Sequence, residues 1–411
     1  MHILIIASQN IPSLAKQLNQ EAVVFGGWVE GAILGLHEHT DLKLSFVYPS
    51  KSIDVQSYVW LGIQTIGLPQ ASDIGNSLDH LNPDIVHAFG TESSFVQQCI
   101  SRFDHVPSVI SIQGVMVENA RAFFKSFGND EGFGSLWYIL VSSLKNMNAL
   151  SFYKRARDEK EQFKKIKHVI GRTSLDKSMA ERYGLNYHFN NETLRPLFYE
   201  TSFWNIDTCK KYQIYVSQGS YPLKGIHILI RALAKLIHEF PELQCRIGGE
   251  DLRKNQAITH KLGISYSNFV IRLIEHYGLQ DHVHYIGFQS EEQVVGELLK
   301  AHCFVMPSLM ENSPNALGEA MILGVPCIAS NVGGIPSMVG EDVLMYSDRN
   351  GGMLSEQIKQ VFTDTQLCLE LSEKGRKRAL INHDIKTNAL TLRDIYLEIL
   401  DRKHSHEDLT N

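Results

Sequence analysis

Six cysteines in 411 residues, Cys99, Cys209, Cys245, Cys303, Cys327 and Cys368, form no C-x-x-C pair and no metal-finger spacing. A zinc finger or dithiol redox module is thereby excluded, and reduced, mostly buried thiols are expected. No window of about 18 residues is apolar enough to span a membrane, although docking on a membrane surface needs no such window. Met1 to Ser8 is apolar but lacks the basic start and the long apolar stretch of a secretory leader, and is expected to be a buried first strand instead. Basic charge is not in excess, since the formal net charge is −6, which speaks against a dedicated nucleic-acid-binding protein. A cytoplasmic protein is expected, with the inner face of the cell membrane as the one place where it would dock.

What is present points to an α/β protein. Thirty glycines and 44% apolar residues supply material for two large cores, and the chain is longer than the roughly 100–200 residues of one domain. In the first half, short apolar runs alternate with helical patterns: residues 3 to 7, Leu44 to Tyr48, Asp84 to Ala88, Val109 to Ile112 and His168 to Ile170 read as strands of a mostly parallel sheet. The rhythm restarts at Gln213 to Val216, followed by a helical pattern from Ile226 to Phe240. Strands are then expected at Gln244 to Ile247, His284 to Ile286, Cys303 to Met306 and Pro326 to Ala329. One large sheet is the alternative, but length and the fresh start favour two domains. The boundaries are a first domain over 1–195, a linker over 196–212, a second domain over 213–385 and a C-terminal helix with polar tail over 386–411, packing back toward the first domain.

The stretch from Pro307 to Pro326 has the grammar strand, loop, helix, strand. Ser313-Pro314 has the form of an N-cap followed by proline at the first helical position, and Gly324 ends the helix. Glu311 stands at the carboxyl end of a strand. Glu319, eight residues on, lies in a helix that is otherwise small and apolar. Eight helical intervals would span about 12 Å. That is the scale between the sugar and the ribose of an extended nucleotide sugar. Two carboxylates can accept hydrogen bonds from vicinal hydroxyls while the helix N-terminus, Asn315, Ala316 and Leu317, offers amides to a diphosphate. From spacing alone, a capping or ion-paired Glu311 and a solvent-facing Glu319 account for the pattern equally well.

The same stretch resembles the signature of the retaining glycosyltransferases of family four (glycosyl transferases group 1). The two glutamates are separated by seven residues, and Pro307-Ser308, Gly318, Glu319-Ala320 and Gly324-Val325-Pro326 match around them. The resemblance implies an α/β GT-B fold, two Rossmann-like domains facing a central cleft. It implies that Glu311 lies beside the donor-sugar hydroxyls and that Glu319 binds the ribose hydroxyls. Lys224-Gly225, after the first strand of the second domain, matches a lysine-glycine pair whose lysine contacts the donor diphosphate; alone, an exposed lysine would be the ordinary reading. Gly26-Gly27 match a glycine-rich loop near the donor phosphates, and Gly333-Gly334 supply a second such loop. Ile286-Gly287-Phe288 resembles the loop that meets the nucleobase, although Phe288 reads equally as core.

Several positions depart from the family pattern. Gly219 stands where the family usually has an arginine five residues before the lysine, with Arg253 as the candidate replacement, and Ser337 stands where a glutamate is common. Gln113-Gly114 replaces a histidine near the donor sugar. Glutamine can hydrogen-bond a sugar hydroxyl or the transferring oxygen, but it is no general base. His87, at the end of the preceding strand, reads first as a local hydrogen-bonding residue.

Glu311, Gln113 and Lys224 thus form the candidate catalytic set. Gly26, Gly27, Lys224, Gly287, Phe288, Asn315, Ala316, Leu317 and Glu319 form the candidate donor site. No cofactor is expected: the donor is a nucleoside diphosphate sugar, a uridine diphosphate sugar first, though no residue separates uracil from guanine or adenine. No D-x-D occurs anywhere in the chain, so a metal-independent site is expected. The expected acceptor is a glycan or lipid-linked oligosaccharide, in bacterial surface polysaccharide synthesis. Phe123, Phe124, Phe127, Phe133, Trp137 and Tyr138, with the basic cluster from Lys154 to Lys167, suit either an anionic membrane surface or an ordinary charged face. A glycan phosphorylase and a non-catalytic carbohydrate-binding protein are the competing readings.

Overall fold

The computed structural model describes residues 1–20, 26–69, 77–90, 93–124, 152–254 and 265–407. They form two compact units, one of Met1–Val115, Arg155–Arg195 and Asn382–Asn411, the other of Met116–Lys154 and Pro196–Ile381. Each unit is built on one sheet.

The first sheet contains β1 (His2–Ala7), β2 (Lys43–Ser50), β3 (Gln56–Trp60), β4 (Ile63–Pro69), β5 (Ile85–Phe89), β6 (Ser108–Ser111), β7 (His168–Gly171) and β8 (Asn186–Phe189), in the order β3-β4-β2-β1-β5-β6-β7-β8. Only the edge pair β3 and β4 is antiparallel. Every residue of β1 is buried, which is why His-Ile-Leu-Ile-Ile-Ala reads as a continuous apolar run: helices cover both faces of a parallel sheet.

On one face lie the helix Gly27–His39 and the C-terminal helix Ile385–Glu407. The latter contributes Ala389, Leu392, Ile395, Tyr396 and Ile399 at helical spacing to the core of the first unit, each larger side chain worth about 2 kcal/mol of burial. Gly35 lets the two helices approach, since a Cβ there would sit 3.3 Å from Ile385 Cγ2 and 3.4 Å from Ala389 Cβ.

The second sheet contains β9 (Gln213–Val216), β10 (Gln244–Ile247), β11 (Val283–Tyr285), β12 (Cys303–Met306), β13 (Cys327–Ser330) and β14 (Leu344–Tyr346), all parallel, in the order β11-β10-β9-β12-β13-β14. The stretch 196–212, expected as a linker, is packed into this unit. Trp204 is buried, its amide donates to the Leu323 carbonyl at 2.7 Å and its indole Nε1 to the Ala301 carbonyl at 2.7 Å. The helix Met116–Phe124, placed by the sequence reading in the first domain, groups with the second unit, where it packs on the turn Pro222–Lys224. No described helix is long and apolar enough to cross a membrane.

Candidate functional site

The exits of β9 and β12 are tied together by backbone. After β9 the chain makes a single 3-10 turn, Pro222–Lys224, and Gly225 follows with φ +65°. A Cβ on Gly225 would overlap the Pro307 carbonyl oxygen, so only glycine lets this turn lie against the loop leaving β12. The Leu309 amide donates to the Leu223 carbonyl at 2.7 Å, and Ser330 Oγ to the Ser308 carbonyl at 2.5 Å. On the other side the Gly334 amide donates to the Glu311 carbonyl at 3.0 Å, and a Cβ on Gly333, at φ +56°, would overlap that same oxygen. Ser337 donates to the Gly334 carbonyl at 2.9 Å and closes this loop.

These constraints bring the two expected donor groups together. Lys224 Nζ lies 2.6 Å from Glu311 Oε1, and Ser308 Oγ donates to the same oxygen at 2.8 Å. Burial alone would lower the Lys224 pKa. The Glu311 carboxylate and the Tyr221 phenol beside it outweigh burial, and the ammonium is held above its ordinary range.

The helix that follows β12 runs Asn315–Ile322, with Pro314 rather than Ser313 at the N-cap. The expected serine cap is absent because Ser313 Oγ turns to Met338 Sδ at 3.7 Å. Of the three amides expected to face a diphosphate, that of Leu317 already donates to the Pro314 carbonyl at 3.0 Å. The amides of Asn315 and Ala316 have no side-chain cap, and Asn315 Oδ1 is buried without a hydrogen-bond partner. Glu319, one turn on from Asn315 and on the same helix face, is only 5% exposed, so the solvent-facing alternative does not hold.

Two expected helpers are placed differently. A Cβ on Gly219 would sit 2.6 Å from Ile226 Cγ1 and 2.7 Å from Ile247 Cγ2, so apolar side chains fill the place where an arginine would begin. Arg253 is neutralised by Asp251, which it grips through Nε at 2.9 Å and Nη2 at 3.0 Å. Phe288 is 59% exposed and therefore not core, and Gly287, at φ +77°, has open space beside its Cα.

In the first unit, Gly26 caps the helix Gly27–His39 with φ +99°, and the position of a Gly27 Cβ is occupied by the Arg195 side chain. The latter glycine thus makes room for an arginine. Gln113, just past β6, donates from Nε2 to Glu192 Oε1 at 2.8 Å, and Glu192 is ion-paired with Arg172 just past β7. Neither Arg172 nor Glu192 was singled out from sequence; a charged residue directly after a buried strand is the signal that would have marked Arg172. His87 is fully buried between Tyr396 Oη at 2.7 Å and Ser111 Oγ at 2.8 Å, and burial pushes it down to about 3, a neutral structural histidine.

Of the aromatic set, Phe123 is buried and lies 5.0 Å from Phe152 between ring centres, so it is a packing residue. Phe127, Phe133, Trp137 and Tyr138 lie outside the described residues. Among the described residues no three His, Cys, Asp or Glu side chains are grouped to hold a metal ion.

Two Rossmann-like units, the second with Lys224, Glu311 and the start of the helix Asn315–Ile322 at its strand exits, are the architecture of the GT-B fold. Residues 200–378 match the family model described as Glycosyl transferases group 1. Similar curated proteins are the MMP alpha-(1->4)-mannosyltransferase of Mycolicibacterium hassiacum, 27% identical over 171 residues, which are 41% of this chain and 38% of that protein, and the putative colanic acid biosynthesis glycosyltransferase WcaL of Escherichia coli, 32% identical over 126 residues, 29% and 28% of the two chains. The chain thus spans less than half the length of these curated relatives. Among solved structures, sucrose-phosphate synthase of Thermosynechococcus elongatus superposes with a TM-score of 0.72 at 16% identity, covering 98% of this chain and 100% of that one. HepE of Anabaena, solved with UDP-glucose, superposes with a TM-score of 0.64 at 14% identity, covering 97% and 100%.

Proposed function

We propose that the protein transfers a sugar from a nucleoside diphosphate sugar to a glycan or lipid-linked oligosaccharide acceptor. The observation that carries this reading is the convergence of Lys224, Glu311 and the Asn315–Ile322 helix start, inside the segment that matches the family. Lys224 and the amides of Asn315 and Ala316 meet the negative charge that grows on the departing diphosphate, where fixed donors act without reorganisation. Glu311 and the buried Glu319 accept hydrogen bonds from hydroxyls of the sugar and the ribose.

The donor we favour is a uridine diphosphate sugar, in keeping with the UDP-glucose held by HepE, with Gly287 and the exposed Phe288 beside the base. Transfer with retention is the expected stereochemistry: the acceptor attacks from the face that the diphosphate leaves, and a leaving phosphate oxygen takes the acceptor proton. That scheme asks for no imidazole base, so it tolerates Gln113. Surface polysaccharide synthesis is the setting we favour, since WcaL is named for colanic acid biosynthesis.

The residues from Lys154 to Lys167 expose Lys154, Arg155, Arg157, Lys160, Lys164, Lys165 and Lys167, a face suited to an anionic membrane carrying the acceptor. Co-sedimentation with liposomes at low salt tests this, and absence of binding with and without anionic lipid would rule it out. The functional reading itself is tested by screening uridine, guanosine and adenosine diphosphate sugars for binding and slow hydrolysis, with the anomer of the transfer product read by NMR. No hydrolysis and no binding of any donor would refute it.

A further inference from the structure

The position five residues before Lys224 supplies no cation: it is Gly219, and Ile226 and Ile247 fill the space beside it. A single ammonium on a flexible four-carbon stem must then be held by its neighbours if it is to meet a phosphate in one place.

An ammonium has three N–H donors and accepts nothing. One donor goes to Glu311 Oε1 at 2.6 Å. A second goes to the Tyr221 phenol oxygen, and Lys224 Nζ stands 5.6 Å from the centre of that ring. One donor is left for a ligand. The two partners act differently on the charge. Glu311 brings a negative charge that offsets the ammonium, whereas a neutral phenol orients the ammonium and leaves its charge for an anion.

The local turn brings Tyr221 to this place. Tyr221 is the N-cap of the 3-10 turn Pro222–Lys224, and the Lys224 amide donates to the Tyr221 carbonyl at 3.0 Å. Residues three apart eclipse in such a turn, which accounts for the contact between the two side chains. Pro222 sets the first backbone angle of the turn, and Gly225 closes it against the Pro307 carbonyl. Tyr221 is 38% exposed, so it is not held there as a core side chain.

We propose that Tyr221 is a positioning residue whose phenol fixes the direction of the Lys224 ammonium, so that the remaining N–H faces the diphosphate at a site that has no arginine. The inference rests on the sugar-transfer reading above, and every group it uses lies on the second unit.

The test is calorimetric titration of uridine, guanosine and adenosine diphosphates into the full chain, then of the tightest of the three into Tyr221→Phe, Lys224→Met and the double variant. Tyr221→Phe keeps the ring and removes only the hydroxyl. It should weaken the diphosphate roughly tenfold, the scale of a hydrogen bond to a charged group. In Lys224→Met the phenol has no ammonium to hold, so adding Tyr221→Phe should change the affinity by less than about twofold. A tyrosine that merely supports the turn would weaken binding equally in both backgrounds, and that result would overturn the positioning role. Wild-type affinity in Tyr221→Phe would overturn it as well. Either result leaves the transfer reading standing. If no nucleoside diphosphate binds the wild type, the transfer reading falls and the role of Tyr221 falls with it.

Discussion

Lys224 Nζ and Glu311 Oε1, 87 residues apart in sequence, lie 2.6 Å apart where β9 and β12 end. A diphosphate reaching Lys224 must share the ammonium with a carboxylate already there. Lys224→Met should therefore weaken nucleoside diphosphate binding roughly 10- to 100-fold, the scale of a charge-assisted hydrogen bond. Glu311→Gln should leave that binding unchanged or tighter while turnover falls. Calorimetric titration of the free nucleotide against both variants checks the opposite signs.

The glycines at this junction should differ sharply in tolerance. Gly225→Ala and Gly333→Ala set a Cβ into the carbonyls of Pro307 and Glu311 on left-handed backbone, and each should cost about 3 kcal/mol or more in urea unfolding. Gly287 has the same hand of backbone but open space, so Gly287→Ala should cost only about 1–2 kcal/mol.

Gly219→Arg should not improve phosphate binding. The side chain would start against Ile226 and Ile247, so the expected result is destabilisation of about 1–3 kcal/mol with no gain in nucleotide affinity.

The sheet strands with continuous apolar runs were legible because burial on both faces leaves a plain signal, as in β1 and β12. The hairpin of β3 and β4 was not. Its outer strand alternates exposed and half-buried residues, and its two-residue turn is Leu61-Gly62, both at positive φ, without the Asn or Asp that usually announces it. In the site, Lys224 and Glu311 were legible as separate signals, but their ion pair was not, because it depends on glycine contacts between distant loops. Glu192 was invisible for a similar reason: β8, whose end leads to it, is half exposed and left no strand pattern.

Acid should weaken the first unit sooner than the second. Burial lowers His87 to about 3 and His168 and His383 to about 4 in the first unit, while His302, at about 4, has the comparable shift in the second. A histidine whose folded pKa lies below its unfolded value of about 6.5 binds protons mainly in the unfolded chain, so stability is lost as pH falls below about 6.5. Each such group removes up to about 1.4 kcal/mol per pH unit, down toward its folded pKa. Calorimetric melts between about pH 7 and pH 5 should show the transition of the first unit falling faster.

The most direct measurement is titration of uridine, guanosine and adenosine diphosphate sugars into the wild type, Lys224→Ala and Glu319→Ala. One donor should bind the wild type, and both substitutions should weaken it by about tenfold or more, an interaction of about 1.4 kcal/mol. Unchanged affinity in both correctly folded variants would contradict the placement of the donor on the second unit.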